Sequence, residues 1–363
     1  MNKEQTAIAI TEHFRRKVHK DPKIQCASLL VHADRLGIHL NLAESRAESS
    51  IHADQPFYIA SVSKLFTSVL IGMLVERGQL AYEDPISRYL DDELLDQLHC
   101  YKGQDYTAEI QIKHLLNHTS GLHCFFEDQP KLGKPMFRMM IDDPQRTWTP
   151  RETLLWAKEH LRGHFRPGAG FHYSDTGYHL LGLIIENITN LPYHEVLQSY
   201  IFAPLQMDHS YIAPGNPLRQ SDYPLVRLFV QDTDVTDFES LSSMYAGGGI
   251  VSTTEDMLRF MQAFVRDELI HAQTKEMMIT DRAKFFPGID YGYGLMYFRP
   301  IPILMPAKYH AWGNAGSIGS FMFYHPGTDA YLIGSLNQFR YHQKGVRLMM
   351  QIIDKLLKCD NNI

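Results

Sequence analysis

The segments with β-strand patterning lie at the two ends of this chain, and helical patterning fills the span between them. Residues 27–32 and 37–42, separated by Asp34-Arg35, read as a hairpin, and residues 294–299, 309–312, 320–324 and 331–335 are again β-rich. A hairpin alone is barely stable in water, so the two ends must meet. This predicts one antiparallel sheet built from both termini, hence an α+β fold. Helices over 5–18, with Ala7, Ile10 and Phe14 on one face, and over about 343–357 would cover its faces. The middle, about 79–215, reads as helices (110–116, 151–161, 177–188) and loops, a mostly helical lobe set against a sheet lobe of about 1–78 and 216–363. Pockets commonly form where two such lobes meet.

The helix expected over 61–76 carries Leu65, Phe66, Val69, Leu70, Met73 and Leu74 at helical spacing and stops at Gly78. It opens with Ser61-Val62-Ser63-Lys64, and i, i+3 spacing puts Ser61 and Lys64 on one face. A serine hydroxyl at a helix N-terminus lies beside backbone N–H groups that stabilise a developing anion. A neighbouring amine can relay its proton during attack. Taken alone, the same residues would also suit a serine N-cap followed by a surface lysine. Ser252-Thr253-Thr254-Glu255 has the form of a capping box opening a helix through Met257, Phe260, Met261 and Phe264.

Residues Ile59 to Thr67 resemble the nucleophile segment of the serine β-lactamase and penicillin-binding-protein superfamily, in its class C β-lactamase, esterase and D-peptidase branch. The segment His114-Leu115-Leu116-Asn117-His118-Thr119-Ser120-Gly121-Leu122 is similar to that branch's hLLnHTSGL run, and Pro167 to Tyr178 to its PG-x-x-F-x-YSNTGY run. Ala246 to Thr253 resembles its aGGl-ST helix entry, and Gly313 to Phe321 stands where relatives carry Lys-Thr-Gly or His-x-Gly. The five segments come in the family's order. The resemblance implies a β-lactamase/transpeptidase-like fold and an acyl-enzyme formed on Ser61.

It also implies that Tyr173 shares proton transfer with Lys64, and that the backbone N–H groups of Ser61 and Ser317 form the oxyanion hole, a device typically contributing about 3 kcal/mol per donor. An ammonium near Tyr173 is expected to favour tyrosinate. Gly316 would let a substrate backbone approach an edge strand closely. Two positions depart from the pattern. The family's Tyr-x-Asn is Tyr173-Ser174-Asp175, and its Lys or His in the third motif is Asn314. An ionised Asp175 can only accept hydrogen bonds, so it is expected to pair with Lys64 or to accept from a substrate amine or amide, leaving Tyr173 as the base. Asn314 removes a cation that in relatives helps hold a substrate carboxylate, which disfavours β-lactams and D-alanyl peptides.

Other signals are weaker. Phe125, Phe126, Met136, Phe137, Met139 and Met140 could wall an acyl pocket or simply pack. Tyr82-Glu83-Asp84 and Lys131-Leu132-Gly133 match the second and third motifs by letter but lack their frames. His160 and His164 stand four apart, but no Glu follows His160, so the zinc-protease pattern fails and no metal or cofactor is expected. No Gly-x-Ser-x-Gly elbow occurs.

Lys plus Arg is 35 against 41 Asp plus Glu, a net charge of −6 without a basic cluster, so a nucleic-acid partner has no electrostatic support. Cys26, Cys100, Cys124 and Cys359 are scattered, as reduced thiols would be. The N-terminal stretch lacks an apolar signal core and no run is long enough to span a membrane, so a cytoplasmic setting is expected. The expectation is therefore a serine hydrolase of a small ester or amide. The alternatives are a β-lactamase or D-Ala-D-Ala carboxypeptidase, and a non-catalytic relative that binds a ligand. The oligomeric state is not legible.

Overall fold

Strands from the two chain ends pair directly. In the computed structural model, which describes residues 1–46, 51–215, 223–302 and 305–360, Cys26–Ala33 lies antiparallel to Ala330–Ser335, with Leu30 opposite Ile333 and Val31 opposite Leu332. The hairpin partner Ile38–Ser45 forms one edge of an eight-stranded antiparallel sheet. Outward on the other side run Phe321–His325, Trp312–Ala315, Met296–Phe298, Ile289–Tyr291 and Ala283–Phe286. The last two strands escape the sequence reading. The expected strand at 309–312 lies instead at Trp312–Ala315, because Ala307–Tyr309 turns into a 3-10 helix first.

Side chains alternate across these strands, and both faces are covered. From Cys26–Ala33, Ala27, Leu29, Val31 and Ala33 pack with the terminal helices Lys3–Lys20 and His342–Asp360. Leu30 and Ile333 point the other way, into the larger core around the Ser63–Glu76 helix. That helix is buried on every side from Ser63 to Leu74, its amine and hydroxyl side chains included. The middle helices form where expected, as Ile112–Leu116, Pro150–His160 and Asp175–Thr189.

The expected capping box is not formed as read. Thr253, not Ser252, caps the helix Thr254–Val265, its side chain accepting from the Asp256 N–H. Ser252 belongs to the short strand Ile250–Ser252, which pairs with Phe57–Tyr58 just ahead of Ser61. That pairing fixes the entry into the Ser61 turn. Among the described residues no helix is long and apolar enough to cross a membrane. All four cysteines are free, and Cys100 is exposed whereas Cys26, Cys124 and Cys359 are buried.

Candidate active site

Ser61 sits in a 3-10 turn, Ala60–Val62, that runs directly into the buried helix carrying Lys64. Ala60 is held in the left-handed region at φ 48°, which costs a residue with a Cβ about 1–2 kcal/mol. The surroundings enforce it: the Ser320 hydroxyl donates to the Ile59 carbonyl at 2.7 Å, tying the turn to the start of the Phe321–His325 strand. A Cβ at Gly316 would stand 2.9 Å from the Ala60 Cβ and 2.2 Å from the Ser320 hydroxyl. Only glycine permits that approach. The Ser317 backbone therefore lies beside the nucleophile turn, and its carbonyl accepts from Tyr341.

Lys64 is 0% exposed, and its ammonium has three acceptors. It donates to the Ser61 hydroxyl at 3.2 Å, to Asp175 Oδ1 at 2.5 Å and to the Gly247 carbonyl at 2.7 Å. A buried ammonium with every proton used is locked in place, and only its contact with Ser61 looks toward the reacting atom. Asp175 opens the Asp175–Thr189 helix, where a carboxylate also meets the positive helix end. Ser174 caps that helix by accepting from the Gly177 N–H and donates to the His123 carbonyl at 2.7 Å, which orients the Tyr173-Ser174-Asp175 run. The second oxygen of Asp175 accepts from the Cys124 thiol at 3.4 Å.

The Tyr173 ring lies over Lys64, with the ammonium 5.0 Å from its centroid, and its hydroxyl is turned toward Ser61. Burial, and next the Asp175 charge, push its pKa well above the ordinary tyrosine value. This corrects the expectation of a tyrosinate. The Lys64 ammonium is engaged by Asp175, and that carboxylate disfavours a second negative charge nearby. The phenol is therefore neutral at rest. The His118 ring packs at a tilt against Tyr173, with centroids 4.2 Å apart, and against Tyr291 at 4.6 Å, and accepts from the Ser174 N–H through Nδ1. Burial, and next Lys64, hold it well below the usual histidine value, so it supports the site as a neutral ring.

Asn314 lies one layer behind. It is fully buried, donates to the Gly294 carbonyl at 2.7 Å and the Tyr291 hydroxyl at 3.3 Å, and accepts from its neighbour Ala315. Its amide is thus committed to the protein rather than turned to the cleft. Ser61, Lys64, Tyr173 and Asp175 come together; Gly316 and Ser317 lie against the same turn; Asn314 touches none of them in a direct hydrogen bond.

Glu127 was not read from the sequence, and the apolar pocket was read only in part. Glu127, at the rim, has its carboxyl pushed up by partial burial and next by the Asp175 charge, while Arg340 and Lys64 pull it down. An apolar cavity of about 60 Å³ opens beside Ala60, Gly248 and Ser317 and is walled by Phe126, Phe137, Met140 and Phe339. Phe126, Phe137 and Met140 were candidate pocket residues; Phe125, Met136 and Met139 do not line it. Phe339 comes from a distant loop and stacks on Phe137 at 4.6 Å. No local pattern announces that pairing.

Comparison with known proteins finds relatives over most of the chain. A family model described as Beta-lactamase matches residues 14–356. The chain is 29% identical to penicillin-binding protein 4* of Bacillus subtilis over 271 residues, which is 69% of this chain and 54% of that protein. It is 26% identical to the D-alanyl-D-alanine-carboxypeptidase/endopeptidase AmpH of Escherichia coli over 263 residues, 68% of this chain and 62% of that one. The chain spans about half the length of the curated relatives it matches. Among solved structures, the D-amino acid amidase from Ochrobactrum anthropi SV3 complexed with D-phenylalanine superposes with a TM-score of 0.75 at 25% identity, covering 98% of this chain and 100% of that one. A D-stereospecific amidohydrolase from a Streptomyces species gives 0.76 at 23% identity, covering 93% and 97%.

Proposed function

The chain belongs to the beta-lactamase family, and from that premise we propose that it is a serine hydrolase that cleaves a small amide or ester through an acyl-enzyme on Ser61. The observation that carries this reading is the fully buried Lys64, held by Asp175 and Gly247 and pointed at the Ser61 hydroxyl. Such a charge costs several kcal/mol to desolvate and adds no packing that an apolar side chain would not provide. Its use is to stabilise charge developing at Ser61.

Tyr173 then works as a neutral relay. As Ser61 attacks, the phenol takes the serine proton and passes its own to the leaving nitrogen or oxygen, so no free tyrosinate forms. The oxyanion is held by the backbone N–H groups of Ser61 and Ser317, and water completes the cycle by the reverse exchange. Asp175 positions Lys64. We read residues 79–215 as the lobe that brings Tyr173 and Asp175 to the sheet lobe's Ser61 and Ser317.

The substrate class follows from the walls. The apolar cavity beside Ser317 suits a hydrophobic side chain, while the Glu127 carboxylate, close enough to feel Asp175, offers a counter-charge to a substrate ammonium. An amide of an amino acid with an apolar or aromatic side chain satisfies both, and the named activities of the amidase neighbours support the choice. A second reading, a carboxylate-bearing β-lactam or D-alanyl peptide, draws on the exposed Arg340 near Glu127, which could replace the cation missing at Asn314. Four free thiols suit a reducing compartment, so the proposed setting is the cytoplasm.

The deciding experiment is a panel of D- and L-amino acid amides, short-chain p-nitrophenyl esters, nitrocefin and a D-Ala-D-Ala peptide, run on wild type and Ser61→Ala with fluorophosphonate labelling in parallel. Labelling and amide turnover that vanish together in Ser61→Ala are expected. Turnover that survives in Ser61→Ala, or no labelling of a folded wild-type protein, would refute the reading.

A further inference from the structure

Outside the Ser61 cluster, three side chains from two loops meet at one point. His164 Nε2 lies 2.8 Å and His172 Nε2 3.1 Å from the same oxygen, Oδ2 of Asp128. The two imidazoles are stacked with centroids 3.5 Å apart and planes inclined by 23°. All three polar atoms lie within 4.8 Å of one another. The sequence offered His164 only in company with His160, and the structure separates that pair: the His160 ring stacks on Trp156 and its Nδ1 turns to the Trp156 carbonyl.

As a plain hydrogen-bonded trio this is an unfavourable arrangement. Asp128 Oδ2 already accepts the Cys124 N–H at 2.9 Å, so two imidazole N–H groups would make three donors on one oxygen, with two like-oriented ring dipoles face to face. If the two ring nitrogens present lone pairs instead, the same positions become a ligand set. Two imidazoles and a carboxylate are the donors that borderline divalent ions take, with further positions left to water. The access exists, because His164 is 38% exposed.

We propose that Asp128, His164 and His172 bind a first-row divalent transition-metal ion, zinc foremost, which clasps the Cys124–Asp128 turn to the segment leading into Tyr173. The ion lies outside the reaction. Its effect is positional: His172 directly precedes Tyr173, and Cys124 reaches from the Asp128 turn to Asp175, exchanging two hydrogen bonds with it at 3.4 Å. Binding ties the Cys124–Asp128 turn to the segment that carries both the relay tyrosine and the lysine's counter-ion.

The test uses the full chain in its Ser61→Ala form, so that it stands or falls separately from the hydrolase reading. Chelator-treated protein is titrated with Co²⁺, followed by visible d–d absorption, and with Zn²⁺, followed by calorimetry and melting temperature. About one tightly bound ion per chain, tetrahedral Co²⁺ bands and a raised melting temperature are expected. His164→Ala, at a partly exposed loop position, should weaken Zn²⁺ binding by more than about 100-fold, the ceiling for losing only a partner of a ligand. Asp128→Asn should also weaken it while retaining the shape of the turn. No saturable binding to the folded protein, or binding that His164→Ala leaves unchanged, would overturn the proposal.

Discussion

Asp175→Asn tests the electrostatics of the Ser61 site more sharply than any other single change, because it removes one charge and almost no volume. In the wild-type protein a fully buried ammonium faces that carboxylate at 2.5 Å, and the carboxylate is itself only 13% exposed. Removing one member of a buried pair typically costs about 3–5 kcal/mol. Asparagine keeps an acceptor oxygen toward Lys64, and Asp175 retains some contact with solvent, so the lower figure, about 3 kcal/mol, is the expected loss in urea unfolding. Asp175→Ala should lose at least about 1 kcal/mol more, since it also removes the acceptor of the Cys124 thiol and one of the three acceptors of Lys64. The activity profile should move as well. The Asp175 charge is the second cause, after burial, of the raised Tyr173 pKa, so the phenol of the variant ionises more easily. The alkaline limb of kcat/KM against pH should therefore shift to lower pH. An Asn variant whose profile superimposes on that of wild type, with stability unchanged to within about 0.5 kcal/mol, would refute both the pairing and the neutral relay.

Gly316→Ala forces a Cβ against Ser320 and Ala60; kcat should fall about 100-fold, the value of one oxyanion donor, with KM little changed, and stability should drop by about 1–3 kcal/mol. His179, held to about 4 chiefly by burial, refuses a proton that the unfolded chain takes up below about pH 6.5. Its contribution is therefore lost as pH falls: between about pH 7 and about pH 5 urea unfolding should show a loss of about 2 kcal/mol, which His179→Gln removes from the slope. Phe339→Ala widens the cavity beside Ser317, so the ratio of kcat/KM for a longer over a shorter p-nitrophenyl acyl chain should rise about 4-fold per added methylene.

The parts of the site that a linear reading reached are those that local geometry sets. Ser61 and Lys64 share one helix face, and Tyr173 and Asp175 share one capped helix start, so spacing alone brings each pair near. The sheet was legible where both faces are covered, as in Cys26–Ala33 and Ala330–Ser335, whose apolar runs are nearly continuous. It was not legible at Ala283–Phe286, an edge strand whose side chains alternate between half-buried and exposed. Pairs such as Phe137 with Phe339, or Asp128 with His164 and His172, have no period. They exist only because loops close over one another. Asn314, a third-motif position expected at the substrate, is fully buried, and its amide is taken up by Gly294 and Tyr291.

The uneven burial of the four cysteines has a practical use. Cys124 lies sealed against Asp175, its thiol pushed well above the ordinary value by burial and then by that charge, and Cys26 and Cys359 are enclosed. Cys100 alone faces solvent. A maleimide dye or nitroxide should therefore settle on one position of the unmodified chain, at the margin of the helical middle, and report its movement without any engineered cysteine.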